Sequence, residues 1–194
     1  MSLLERHPQV RNPSPVPTQL EGESIRLRRL SADDATDMHA AAVESAAELE
    51  TTMPWFSRGM TLESFRSFAT WAWEAWDRGE HYELSILAGD GTYLGSAGLA
   101  VDARTMSANL QYWVRTSWTR RGVASEAIRL VSRWAVQAVG LQRVEIFISD
   151  HNVASQVAAR KSGAHFEGVL RNKIRWNERA YDAHVFSFVP SDFA

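Results

Sequence analysis

Cysteine is absent from all 194 residues, which excludes disulfides, thiolate metal sites and a cysteine nucleophile. Net charge is small, −2 at pH 7, so nothing draws the chain as a whole toward nucleic acid, membrane surfaces or polyanions. No apolar run approaches the roughly 20 residues of a membrane span. The start, Met1-Ser-Leu-Leu-Glu-Arg-His-Pro8, lacks the apolar core of a secretory signal. No HxxH, HExxH or carboxylate cluster suggests a metal. These absences describe a cytoplasmic protein without metal, nucleic acid or membrane partners. What is present is ordinary globular composition, 45% apolar and 23% charged, and enough length for one domain with a substantial core.

Four of the six prolines fall at positions 8, 13, 15 and 17, so residues 1–20 read as a flexible N-terminal arm and residues 21–194 as a single domain. Alternation over Ser24–Leu30 predicts a strand with Ile25 and Leu27 inward. Ser31 and the acids after it predict a helix start, the helix running to about residue 49. Met53-Pro-Trp-Phe56 breaks the chain. Thr61 then caps a second helix whose Leu62, Phe65, Phe68, Ala69, Ala72, Trp73 and Trp76 trace one face. Trp71, Trp73 and Trp76 read as core and groove wall rather than as a platform for bases, because no basic field surrounds them.

Strands are expected at Tyr82–Ala88, Tyr93–Val101 and Ala108–Arg115, the first two joined by Gly89-Asp-Gly91. A helix follows from about Gly122 to Val139, with Gly140 at its C′ position. Arg143–Ser149 predicts a strand, Asn152–Ser162 a short helix, and Phe166–Trp176 with Ala180–Phe188 a closing hairpin. The order β-α-α-β-β-β-α-β-α-β-β is a mixed α/β (α+β) layer with no internal repeat.

The most informative junction is Trp118-Thr-Arg-Arg-Gly-Val-Ala-Ser-Glu-Ala127, directly after a strand. Arg120 and Arg121 supply charge, and Gly122 lets the backbone approach a ligand. The first helical N–H groups have no internal acceptor. A diphosphate is the natural guest of such a site. Some thirty residues later comes a second constellation, Asp150-His-Asn-Val-Ala-Ser155, opening the short helix.

Together these stretches resemble the GNAT superfamily of acyl-CoA N-acyltransferases, most of all its RimL/RimJ-type branch, which acetylates protein N-termini. The family's diphosphate loop, Gln/Arg-x-x-Gly-x-Gly/Ala, stands here as Thr119-Arg-Arg-Gly122-Val-Ala124, followed by Ser125-Glu-Ala127. The branch's Asn-x-x-Ser is Asn152-Val-Ala-Ser155. Its Gly-Phe-x-x-Glu-Gly-x-Leu-Arg ending is Gly163-Ala-His-Phe-Glu167-Gly168-Val-Leu170-Arg171. The terminal stretch is Asn177-Glu-Arg-Ala-Tyr181-Asp182, and strand four's Gly-Tyr-Trp is Gln111-Tyr112-Trp113. The resemblance spans roughly residues 24–190.

It implies the GNAT fold with a V-shaped split between strands four and five, where acetyl-CoA inserts its pantetheine arm. Backbone groups of Trp113, Val114 and Arg115 would pair with that arm. The amides of Arg121, Gly122, Val123 and Ala124 would hold the diphosphate with Arg120 and Ser125. One helix terminus contributes only about 0.3–1 kcal/mol, so several oriented N–H bonds and the arginines must supply most of the affinity. Asn152 would contact the pantetheine region. Ser155 would sit near the thioester sulfur and donate to the leaving thiolate; its other reading is a first-turn serine bonded to its own helix. Strand-four backbone would polarise the carbonyl. Relatives of this kind often pair, so a homodimer is compatible with the resemblance.

The departures bear on the acceptor. Thr119 replaces the usual first loop residue. Asn109 stands where strand four commonly carries a Glu base, Ala159 where other branches carry a Tyr acid, and Ile174 where the branch's proposed carboxylate base lies. An α-amine titrates near ~7.7–8.0 and lysine near ~10.4. At neutral pH that difference corresponds to about 3.5 kcal/mol, comparable to a lost general base worth about 10²–10⁴ in rate. The vacancies therefore favour a terminal α-amine, or a base elsewhere, over a lysine side chain. Candidate bases are Glu83, on the strand flanking the acceptor side, and His81 before it; a solvated strand carboxylate is the competing reading of Glu83. Asp150, His151 and His165 read as loop or strand-end residues.

The leading expectation is an acetyl-CoA-dependent N-acetyltransferase acting on an amine by direct attack on the thioester. Orientation alone can lower such a barrier by ~7–11 kcal/mol. Two alternatives stay open. One is a small-amine acetyltransferase for an aminoglycoside or polyamine, with Glu44, Glu48 and Glu50 lining an acidic pocket or simply a solvated helix face. The other is a non-catalytic acyl-CoA-binding protein.

Overall fold

The computed structural model describes residues 19–176 and 178–194. Most of the expected flexible arm, residues 1–18, lies outside the described residues, as does Asn177 of the closing turn. The arm's last two expected residues, Gln19 and Leu20, belong to a short strand that the proline pattern obscured. This strand, β1 (Gln19–Glu21), pairs antiparallel with β2 (Ile25–Arg29) through Leu20 opposite Leu27. Ile25 and Leu27 are buried, as alternation requires.

The helix expected from Ser31 to residue 49 is broken. A 3₁₀ turn (Ala32–Asp34) leads into α1 (Ala35–Glu44), and α2 (Ala46–Thr52) follows after a bend at Ser45. Asp34, not the Ser31 hydroxyl, organises the start. Its buried carboxylate accepts the Ser31 N–H (2.9 Å), the Ser85 hydroxyl (2.8 Å) and the Arg28 guanidinium (2.8 Å to Nη1). Burial pushes the Asp34 pKa up, but the bonds from Arg28, Ser31 and Ser85 outweigh it and leave the carboxyl lowered. The bend at Ser45 accompanies a buried hydroxyl that accepts the Thr116 N–H at 3.0 Å.

α3 (Leu62–Asp77) is capped reciprocally: Ser64 N–H donates to Thr61 Oγ1 (3.3 Å) and Thr61 N–H to Ser64 Oγ (3.2 Å). Phe65, Ala69, Ala72 and Trp76 form its buried stripe. Trp73 does not share that face. It is 44% exposed, with the Arg29 guanidinium 3.6 Å above its ring, because it sits one residue, about 100°, around the helix from Ala72.

β3 (His81–Ala88), β4 (Tyr93–Asp102) and β5 (Ser107–Val114) continue the sheet antiparallel. After α4 (Val123–Trp134) and a π-helical turn (Ala135–Val139), Gly140 adopts φ +86° and ends the helix. β6 (Arg143–Ser149) then runs parallel to β5, but only Ser107–Asn109 pair with Arg143–Glu145. Beyond Asn109 the strands diverge, which is the split expected between strands four and five; β1 shifts the count by one. α5 (Val153–Lys161) precedes β7 (His165–Trp176) and β8 (Arg179–Phe188), and the sheet order is β1-β2-β3-β4-β5-β6-β8-β7.

Register assigns the faces. Tyr82, Leu99 and Leu110 are lateral neighbours and pack toward α4, against Ile128 and Val131. Each such buried aliphatic side chain contributes about 1.5–3 kcal/mol. The alternate residues face α1 and α3: His81, Ala100 and Asn109 in one row, Glu83, Gly98 and Gln111 in the next. Leu87, Tyr93 and Trp113 close the core on that side.

Candidate active site

The split frees backbone groups on β5. Arg115 N–H donates to Leu94 O at 2.7 Å. Hydrogen-bond direction alternates along an antiparallel strand, so Trp113 and Arg115 direct their backbone groups to β4, while Tyr112 and Val114 turn theirs to the opening. Of the three residues expected to pair there, Val114 has the required direction; Tyr112 replaces the other two. The Arg115 side chain is held by Glu44 (Nε to Oε2, 3.0 Å) and reaches Tyr93 O (3.2 Å).

Below the opening, a 3₁₀ turn (Thr116–Trp118) leads to the basic loop. Arg120 (φ +61°) and Gly122 (φ +86°) both take left-handed backbone conformations, and Gly122 faces open space. Glu126 N–H makes the bond to Gly122 O (3.0 Å), so the N–H groups of Val123, Ala124 and Ser125 precede the helix's own acceptors. No side chain caps this end. The one acid in its first turn, Glu126, is drawn off to Ser24, accepting its N–H at 3.0 Å. Arg120 and Arg121 are exposed, with Arg121 4.8 Å from the Trp118 ring. The Thr119 hydroxyl donates to Thr116 O (2.9 Å). An anion at this terminus would meet unpaired N–H groups, the positive helix end and two guanidinium groups.

Opposite stands the start of α5. Asn152 Oδ1 accepts the Ser155 N–H (3.1 Å), a side-chain cap. The Ser155 hydroxyl lies 2.6 Å from the Tyr112 hydroxyl, which also reaches Ser155 O at 3.2 Å. The hydroxyl of Ser155 is thus engaged by Tyr112 of β5 and not by its own helix, while its amide is capped by Asn152. Burial pushes the Tyr112 phenol up to about 12, against the opposing pull of the Ser155 bond. Tyr112 was within reach of sequence reasoning, since strand alternation puts Leu110 and Tyr112 on the α5 side.

On the other face of the sheet lies a cavity of about 400 Å³, with His81, Glu83, Gly98, Ala100 and Gln111 along its floor. His81 Nε2 is 2.7 Å from Glu83 Oε2. Glu83 is 6% exposed, so its reading as a solvated strand carboxylate is corrected. Its carboxylate overhangs β4: a Cβ on Gly98 would lie 2.0 Å from Oε2. A second groove of about 460 Å³ runs between β5 and β6, lined by Asn109, Asn152, Ser155 and Ile174. The two share Met53, Trp55, Gln111 and Tyr112. Asn109 keeps a buried side-chain oxygen without a hydrogen-bond partner.

Other candidates are engaged by neighbouring groups, and His151 also lines the second groove. His151 Nε2 donates to Thr51 O (3.0 Å), leaving Nδ1 to the Ser149 hydroxyl (2.7 Å). Glu44, Glu48 and Glu50 form no common acidic pocket: they bind Arg115, the Thr116 hydroxyl (2.9 Å) and Arg58 (2.7 Å) respectively. Among the described residues no cluster of histidines and carboxylates could hold a metal, and no helix is long and apolar enough to cross a membrane.

The acetyltransferase (GNAT) domain family matches residues 24–165, and the chain belongs to it. The chain is similar to a Bacillus subtilis (strain 168) protein described as a probable N-acetyltransferase, YjcK, at 26% identity, covering 89% of this chain and 98% of that one. Its fold matches Mycobacterium smegmatis RimJ in complex with CoA-disulfide (TM-score 0.78, 22% identity, 87% of this chain and 83% of that one). It also matches a ribosomal-protein-S5-alanine acetyltransferase from Vibrio fischeri (TM-score 0.80, 16% identity, 91% and 98%).

Proposed function

We propose that this GNAT enzyme uses acetyl-CoA to acetylate the α-amine of a peptide or protein N-terminus. The observation that carries the reading is the division of polar groups by the sheet. Ser155 and Tyr112 stand on one face of the split, and His81 and Glu83 on the other. The N–H groups of Gly122, Val123 and Ala124, with Arg120 and Arg121, hold the diphosphate. Val114 and Tyr112 offer backbone partners to the pantetheine arm, and Asn152 borders it.

In the reaction the amine nitrogen bonds to the thioester carbonyl carbon, the carbon–sulfur bond breaks, and the nitrogen loses a proton. Glu83, held by His81, accepts that proton directly or through one water; its carboxylate overhangs β4, one strand spacing, roughly 5 Å, from β5. Ser155, its hydroxyl held by that of Tyr112, donates a hydrogen bond to the departing sulfur, and the CoA thiolate takes its proton from solvent. A low-pKa amine suits a site whose two usual carboxylate positions are Asn109 and Ile174. The ribosomal-protein acetyltransferases among its fold relatives support the same acceptor class. The ion pairs of Glu44 and Glu50 remove the reason to favour a polycationic drug.

Incubation of the full chain with acetyl-CoA and a peptide library, followed by mass spectrometry, tests the reading. One acetyl group on peptide α-amines is the expected result. Acetylation confined to lysine side chains, or CoA binding with no turnover, would overturn it.

A further inference from the structure

Acceptor selection has its own structural basis, and the following rests on the acetyl-transfer reading above. We infer that the cavity over Gly98 and Ala100 is a side-chain pocket selecting an acceptor whose amine is flanked by a large apolar group.

A cavity of about 400 Å³ falls in the size range of ligand pockets. Its floor is the methyl of Ala100 and the Glu83 carboxylate lying over Gly98, while α3 reaches over with Phe65, Phe68 and Trp71. Met38, Met53 and Met60 complete the walls. Methionine has a flexible, polarizable chain that adapts to differently shaped apolar groups. Such walls give a hydroxymethyl or methyl group little to fill, whereas a Leu, Met or Phe side chain would leave water for matched surface.

Gln111 and Tyr112 line both the pocket and the reaction groove, so an amine at the split would project its neighbouring substituent toward the cavity. Among the lining residues Glu83 is the sole carboxylate, and His81 is already bonded to it. One anion at the floor and apolar walls above match a primary amine with an apolar body. A basic side chain, by contrast, would have its charge desolvated by the thioether and aromatic walls. This acceptor differs from the S5 alanine that the Vibrio fischeri enzyme acts on.

The test uses the full-length chain, acetyl-CoA and peptides identical except for the first residue: Ala, Ser, Leu, Met, Phe or Lys. Phenethylamine is a separate arm, asking whether a peptide is needed at all. Leu, Met and Phe peptides are expected to exceed Ala and Ser peptides in kcat/KM by roughly ten- to hundredfold. Ala100→Leu, at an exposed floor position, should cut the Phe-to-Ala ratio at least about tenfold; Phe68→Ala, which widens the opposite wall, should shift preference toward a Trp-first peptide. Equal or better use of Ala or Ser, a preference for Lys, or a ratio unmoved by Ala100→Leu would overturn the inference. Turnover of phenethylamine with no peptide acetylated would keep the pocket's chemistry and overturn the peptide acceptor. If no amine is acetylated, the functional reading fails, and the pocket is judged by titrating tryptophan fluorescence, since Trp55 and Trp71 line it. Phenylalanine amide should then bind at least about tenfold more tightly than alanine amide, and equal binding would overturn the pocket.

Discussion

The Tyr112 hydroxyl lies 2.6 Å from the Ser155 hydroxyl and 3.2 Å from the Ser155 carbonyl oxygen, joining β5 to the first turn of α5 across the mouth of the split. A carbonyl only accepts, so the phenol proton has two destinations. When it goes to Oγ, the serine proton is free to be donated outward. With its pKa pushed up to about 12 by burial, Tyr112 keeps that proton throughout the physiological range.

A coupled pair makes a definite prediction. Ser155→Ala and Tyr112→Phe should each lower kcat by about 10²-fold, the lower end of general acid–base effects. The double variant should be no worse than either single one, measured by initial rates at saturating acetyl-CoA. Losses that multiply would mean that the two hydroxyls act separately.

Glu83 is expected to act through its charge. Glu83→Gln keeps the shape and the contact to His81, yet should reduce kcat by about 10²–10⁴-fold in initial rates at saturating acetyl-CoA. An unchanged kcat would assign the proton to another group.

Gly98→Ala tests the same carboxylate by displacement. Its methyl carbon would lie 2.0 Å from Glu83 Oε2 and 3.0 Å from His81 Nε2, so the pair must move, while both neighbours are side-chain ends that can swing. Activity should fall at least about tenfold with a melting temperature lowered by only about 2–4 °C, the equivalent of roughly 1 kcal/mol in a chain of this size.

Gly122→Ala separates conformation from contact. Nothing lies within 4 Å of the added carbon, but φ is +86°, where an L-residue costs about 1–2 kcal/mol. A melting temperature lower by a few degrees and a severalfold weaker affinity for CoA by calorimetry are expected.

Stability should fall on acidification through two exposed ion pairs. Hydrogen bonds from Arg115, then Ser117, hold Glu44 at about 2, and those from Arg143, then Ser187, hold Glu167 at about 2. Both values are depressed below the ordinary 4.5, so the stabilisation is complete above that value and is lost as pH falls from about 5 toward 2. With side chains 32% and 35% exposed, each pair contributes about 1 kcal/mol or less. Arg115→Met and Arg143→Met should flatten the decline in melting temperature over that window.

Much of this was legible in one dimension because it depends on local rules. The α4 stripe Val123, Ala127, Ile128, Val131 follows helical periodicity, the Gly89–Gly91 turn specifies its hairpin, and Thr61 specifies a cap. The basic loop was legible because Gly122 and the unpaired amides after it need only a helix start. The bend at Ser45 was not, because the partner that meets its hydroxyl there is Thr116, 71 residues away. Nor was β1, whose three residues form a strand only by pairing with β2.

The sequence by itself determined the order of the strands from β2 onward, the helix start after Gly122 and the Asn152–Ser155 helix start, since each arises from residues within a few turns of one another. Tertiary structure decided what the site can do. Only strand register lays Glu83 over Gly98, brings Tyr112 to Ser155, and turns Val114 rather than Trp113 toward the opening. Lateral neighbours in a sheet are fixed by pairing between segments distant in sequence, and a shift of one residue would send every one of these side chains to the opposite face.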